Sequence, residues 1–267
     1  MNKPIFLSID MDFFSYEDPW WDFAHGEGLH PDLWAVRMIS TSMSGMDLLS
    51  ETRLDKADFH PLKTWQILRE AGWHLSPDCQ VTVSDSHMHA FVAGNQLGNV
   101  RIVNFDAHHD LGYASRQVMR KRWKSGRIQC EDWLWFLLRL NVRMDAVTIF
   151  PSWKPGGDWP ERPHWDKTSV GRRAWGTMYS QDVLEALAGD VVGIHIARSG
   201  AWLPPWHDPV LPAMLEGIGG YNVLGDTDPT VPRDFDAEAC VRQAEEQIKG
   251  NEVLLAFRKA QQQVSSA

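Results

Sequence analysis

Apolar and polar positions along the chain fall into two rhythms. Five short runs, Ile5–Ile9, Gln80–Ser84, Val100–Phe105, Ala146–Phe150 and Val191–Ala197, are nearly continuous in apolar residues. A strand with one wet face alternates; a strand buried on both faces does not. These runs therefore predict strands of a parallel sheet. Helical spacing marks Leu62–Ala71, a short opening at Met88–Ala93, the strongly apolar Asp132–Leu140, and Gln181–Ala188 behind Ser180 as N-cap. From Asp236 onward the pattern predicts a long amphipathic helix with Asp236 near its cap. Strands alternating with helices predict an α/β fold, a mostly parallel sheet covered on both faces. Residues 11–59 and 151–179 give only weak periodicity. Irregular stretches of that length serve in compact enzymes as lids or binding loops, or are plain surface insertions.

Composition narrows the class. A chain of 267 residues with 43% hydrophobic content can bury one large core, so a single domain over 1–267 is expected. The formal net charge of −9 argues against a broad nucleic-acid footprint, which needs a basic surface. Cys79, Cys130 and Cys240 are scattered and odd in number, as in a reduced cytoplasmic protein without a disulfide framework. The first residues, MNKPIFLSIDMDFF, are too short an apolar run and too acidic for a signal peptide. No segment approaches ~20 consecutive apolar residues, so no membrane span is expected. The 14 Trp can build core or line a groove, and composition does not distinguish these.

Three of the strands run into polar residues of metal-ligand type, at the end of the sheet where α/β proteins place their sites. In SIDMDFF, Asp10 and Asp12 are two apart and share a side if the chain stays extended. Two close carboxylates repel unless a cation lies between them. In VNFDAHHDLGY the same geometry puts Asp106, His108 and Asp110 on one face and turns His109 away. In VTVSDSHMHAF, Asp85, His87 and His89 are again spaced by two, and either His completes a set of two imidazoles and four carboxylates. Such a set is rich in oxygen and lacks thiolate, which suits Mn²⁺ or Mg²⁺ better than structural zinc. It is too many ligands for one ion and suits a pair about 3.5–4 Å apart.

DAHHD at 106–110 resembles the DAHxD signature of the arginase and agmatinase superfamily, and SIDMD at 8–12 its SxDxD signature. SDSH at 84–87 lies where that superfamily has GGDH, which selects His87. DMDFF, EDWLWFLL at 131–138 and IARSGAWLPP at 196–205 resemble a branch that includes peptide arginases of ribosomal-peptide pathways. The resemblance runs from residue 5 to about 216. It implies a three-layer αβα arginase-like fold, with strand order permuted because SxDxD here opens the chain. It implies two Mn²⁺, or other divalent ions, held by Asp10, Asp12, His87, Asp106, His108 and Asp110, with Asp10 and Asp106 bridging. It implies hydrolysis of arginine side chains in a precursor peptide to ornithine and urea. The leaving amine needs a proton, for which Asp110, His109 and His89 are the candidates. Arg198, Ser199 and Trp202 are the candidate substrate contacts, and the Trp-rich segments at 20–21, 153–165 and 202–206 a candidate peptide groove. The superfamily's guanidinium-holding acid has no evident counterpart. Free arginine, agmatine or another guanidino compound is the alternative substrate, and a metal-dependent peptide-binding protein without turnover the alternative class. Oligomers are common among arginases, so the resemblance also admits one.

Overall fold

The computed structural model describes residues 3–15, 31–45, 47–54, 57–154 and 170–265. Its centre is a single sheet of seven strands among the described residues: β1 (Ile5–Asp10), β2 (His74–Ser84), β3 (Arg101–Phe105), β4 (Asp145–Phe150), β5 (Ala174–Met178), β6 (Asp190–Ala197) and β7 (Asn222–Val223). The order is β5-β4-β3-β1-β6-β2-β7, and every pairing is parallel. The five apolar runs are all strands. β2 starts earlier than its apolar run because its first half, HLSPDC, is a half-exposed stretch that meets β6 through a register shift between Leu75 and Gln80.

β1 shows why the sheet is buried on both faces. Ile5, Leu7 and Ile9 point into one cluster with Leu68, Leu184 and Leu211, which come from the helices Thr64–Glu70, Gln181–Leu187 and Val210–Leu215. Phe6 points the other way, into a cluster with Ala90, Met119 and Leu134–Leu138 from the helices Ala90–Asn95, Arg116–Ser125 and Trp133–Leu140. Helices thus cover both faces, giving three layers. A third, smaller cluster joins the helix Pro31–Met43 to the start of the helix Ala237–Ser265 through Trp34, Met38 and Cys240.

The local signals for these helices are those of the sequence. Ser180 Oγ accepts from Val183 N at 3.3 Å, and Asp236 Oδ1 accepts from Ala239 N at 2.8 Å. Among the described residues, no helix is long and apolar enough to cross a membrane. The two weakly periodic stretches gain structure, Pro31–Met43 in the first and β5 in the second, and a basic helix, Arg116–Ser125, forms where periodicity marked no element.

Phe6 is fully buried at the junction of β1 with the helix layer. Phe6→Ala should cost about 3–5 kcal/mol, since a cavity replaces the lost ring contacts. Urea denaturation checks this, and a loss under about 1 kcal/mol would mean that the layer closes over the gap.

Candidate metal centre

The ends of β1 and β3 lie side by side, with Ile9 opposite Phe105. Beyond them both chains leave the extended form. After Asp10 a single turn of 3₁₀ helix, Met11–Phe14, forms because Asp10 Oδ1 accepts from Asp12 N at 3.0 Å. After β3, Asp106 Oδ1 accepts from His108 N at 2.7 Å, and Asp110 takes a left-handed backbone at φ 50°. The i, i+2 logic of an extended strand is therefore not what gathers these side chains. Short turns closed by the aspartates themselves do so.

The result is two groups that share Asp106: Asp10, His87 and Asp106, and Asp12, Asp106 and His108, each with ligand atoms within 4.8 Å of one another. His87 Nδ1 lies 3.0 Å from Asp10 Oδ2, 3.2 Å from Asp106 Oδ2 and 2.9 Å from Asp110 Oδ2. His108 Nδ1 lies 2.8 Å from Asp12 Oδ2 and 3.6 Å from Asp106 Oδ1. All four carboxylates and His87 are buried, with His108 partly so. One ring nitrogen cannot satisfy three carboxylate oxygens with one proton. Even with both imidazoles charged, the four carboxylates leave net negative charge out of water, which is costly without a cation. The donor set therefore fits divalent ions: oxygen-rich, two imidazoles, no thiolate.

The electrostatics agree. Burial, then the charge of Asp12, pushes Asp10 up to about 7, against the lowering pull of His87. Burial, then Asp106, raises Asp110 well above the usual carboxylate range. Burial disfavours charge on His87, yet Asp10, Asp106 and Asp110 outweigh it and raise that ring well above normal. His108 behaves alike: burial and the Lys154 ammonium lower it, while Asp106 and Asp12 prevail. Asp106 also feels burial, but its hydrogen bonds to His108 and His87 hold it far below the carboxylate range.

A surrounding set of side chains orients these groups. His87 Nε2 lies 2.7 Å from Ser8 Oγ, so a proton donated there leaves the Nδ1 lone pair facing the carboxylates and any ion among them. Asn104 Nδ2 donates to Asp106 Oδ2 at 3.0 Å. Ala107 N donates to Asp12 Oδ1 at 3.2 Å. Trp133 Nε1 donates to Asp110 Oδ2, which gives the EDW segment a role at the centre. Gly112, at φ 86°, follows this loop where an added Cβ would meet Met119 Sδ at 2.8 Å. Ser8 and Asn104 are adjacent in register and continue sideways to Thr148 on β4 and to His195 and Thr82 on β6 and β2. A polar row thus crosses five strands one step beneath the ligands. Sequence reasoning passed over Ser8 and Asn104, although each is a polar residue inside an apolar strand two positions before a ligand. His195 stacks on His87 at 6.0 Å with planes 5° apart, and Ser84 Oγ meets its Nε2 at 2.9 Å.

Among the candidate proton donors, Asp110 is part of the cluster. His109 is buried with Nδ1 accepting from Leu111 N at 2.9 Å and its ring flat on Tyr113 at 4.2 Å. Burial, with the charges of His108 and Lys154, pushes it down to about 3. His89 sits under Gly225, where an added Cβ would meet its ring at 2.7 Å, and burial lowers its pKa. Both rings are therefore held neutral at neutral pH and carry no extra proton to give. Among the candidate substrate contacts, Arg198 is buried, 2.6 Å from Asp85 and 3.3 Å from Asp208, with a further bond to Val231 O at 2.8 Å. Its charge is met inside the protein. Ser199, left-handed at φ 50°, turns its hydroxyl onto Asp10 Oδ2 at 2.5 Å. Trp202 lies 5.7 Å from the His108 ring, and its buried Nε1 has no hydrogen-bond partner among the described residues. Of the proposed groove, Trp20, Trp21, Trp159 and Trp165 lie outside the described residues; Trp153 donates to Phe13 O at 3.2 Å, and Trp206 packs on Trp34. Lys154, next to Trp153, carried no sequence signal.

No protein-family model, curated protein or solved structure matches this chain.

Two tests follow. Without metal, Asp10, Asp110, His87 and His108 all hold protons more tightly folded than unfolded. Below about 6.5 the buried His89, His109, His195 and His207, which burial holds neutral, work the other way; above it stability should fall as pH rises, through about 7 for Asp10 and on through the raised histidines. Added Mn²⁺ should raise the Tm more at about pH 8 than at about pH 5, because protons compete for the same atoms. Equal shifts at both would contradict the assignment. Trp133→Phe and Ser199→Ala each remove one bond that orients a ligand, and each should weaken Mn²⁺ binding about 10–100-fold by calorimetry.

Proposed function

We propose that this protein is a two-metal hydrolase that cleaves the guanidinium of arginine residues within a peptide, giving ornithine and urea. The observation that carries the two-metal part is Asp106, shared by two carboxylate–imidazole groups. The substrate rests on the resemblance of SIDMD, DAHHD and EDW to peptide arginases. Asp10, Asp106, Asp110 and His87 would hold one divalent ion, and Asp10, Asp12, Asp106 and His108 the other. Mn²⁺ is the natural choice for this donor set. Such a pair, when bound, would acidify a water so that hydroxide is at hand near neutral pH.

The chain's own residues do the rest. Ser8, Asn104, Trp133 and Ser199 hold the ligands in register, so that little reorganises during reaction. Trp202 offers an unused indole donor beside His108. Tyr113, 48% exposed and flat against His109, places an aromatic face at the solvent edge of the loop, suited to a chain that continues past the reacting side chain. Asp110, whose Oδ2 lies 2.9 Å from His87 Nδ1, would relay to the leaving amine the proton given up by the attacking water, a role that does not need its own carboxyl to be protonated beforehand.

Lys154 favours a second substrate for the same centre. Its ammonium acts on both His108 and His109, and a cation there suits a guanidino acid such as free arginine, whose carboxylate it could meet.

The test is urea release from free arginine and from an arginine-containing peptide by Mn²⁺-loaded protein. Urea from the peptide alone supports the first substrate. Urea from free arginine, with KM raised by Lys154→Ala, supports the second. No urea from either with two ions bound removes guanidinium hydrolysis and leaves the centre. Asp106→Ala should drop turnover at least about 1,000-fold and lower the bound metal count. Full activity in that variant would end the two-metal scheme.

A further inference from the structure

Between Asp110 and Glu131 the chain has six Lys and Arg and no acidic residue, within a protein of formal net charge −9. Most of these cations lie on the helix Arg116–Ser125, which starts at the Ser115 cap directly after the ligand-bearing loop. Arg122 is taken up by Glu131 and Asp132, at 2.5 and 2.7 Å. Arg116, Arg120, Lys121, Lys124 and Arg127 are exposed and form no ion pair among the described residues. Arg139, also exposed, joins them from the next helix with its guanidinium 4.7 Å from the Trp123 ring centroid. Arg116, Arg120 and Lys124 recur every four residues, so like charges stack along one row. Such a row destabilises a helix unless something anionic lies on it. The helix buries little beyond Met119, so the core does not explain this composition.

We propose that this row is a docking surface for an acidic segment of the peptide substrate. Arg116 is six residues from Asp110, so it lies within about 21 Å of the centre, and the helix extends the surface by about 15 Å more. An extended peptide with its arginine at the centre reaches the row with residues within about a dozen positions of that arginine. The helix N-terminus, nearest the centre, adds its own partial positive charge. The remaining negative charge of the protein opposes nucleic acid and leaves a short acidic peptide as the fitting occupant. This inference rests on the peptide-substrate reading, but its test is separable from it.

Fluorescence anisotropy would compare labelled peptides that place about four Glu, or four Gln, some six to twelve residues from a single Arg, each also made with Lys in place of that Arg. Exposed pairs are each worth a factor of about two to five, so the Glu peptides should bind about tenfold tighter at low salt, and lose this as salt rises. Arg116→Gln/Arg120→Gln/Lys124→Gln protein should lose the preference, and in urea assays show raised KM with kcat and Mn²⁺ binding unchanged. Tight binding of the Glu/Lys peptide without urea from any peptide would keep the docking surface and end the guanidinium reading. Urea release with equal binding of Glu and Gln peptides would do the reverse. Preferred binding of a single-stranded oligonucleotide, or a dimer by sedimentation that the triple variant abolishes, would assign the row to nucleic acid or to a second copy and overturn the proposal.

Discussion

Repulsion among four buried carboxylates is the constraint around which this protein is arranged. Asp10, Asp12, Asp106 and Asp110 stand where water is excluded, with two imidazoles, His87 and His108, set among them. Left alone, the cluster must take up protons, as the raised Asp10 and Asp110 show. Divalent ions resolve the same conflict without protons. Much of the neighbouring structure then makes sense as support for charged oxygens in fixed positions, including two left-handed residues, Asp110 and Ser199, both at the site.

The sheet supplies the supports cheaply. Parallel strands end together, so the chain segments after β1, β2, β3 and β6 converge at one edge. The register then aligns Thr148, Asn104, Ser8, His195 and Thr82 across the sheet. From this row Ser8 reaches His87 and Asn104 reaches Asp106. The helix Trp133–Leu140 packs against the same face and brings an indole to Asp110. The ion pairs of Arg198 and Arg233 with Asp208, and of Arg198 with Asp85, fix the other side, next to Ser199.

What was legible in the sequence, and what was not, follows from the same physics. The buried strands announce themselves because burial on two faces demands continuous apolar residues. β5 does not, since AWGTM is a short edge strand with one partner and a glycine, and β7 is two residues long. The helix Arg116–Ser125 has no apolar stripe; a serine cap and left-handed Gly126 bound it instead. At the centre, the ligand types and spacing stood out, but the assumption of extended backbone did not survive the turns made by Asp10 and Asp106. The contacts of Arg198 with Asp85 and of Ser199 with Asp10 were beyond reach, because the partners lie 113 and 189 positions apart in sequence.

β1 is the first strand in chain order and sits near the middle of the sheet, with β3 on one side and β6 on the other. Ile5 pairs with Arg101 and with Val191, so the strand that carries Asp10 and Asp12 gains its second neighbour only when residues from far along the chain arrive. Until then an apolar edge stays open and the centre lacks Ser199. Such long-range closure is slow, because chain entropy must be lost before the pairing rewards it. The carboxylates and imidazoles come from the chain just after β1, β2 and β3, so an ion captured before β6 arrives would tie those three ends together and act as a folding template for the strand still to come.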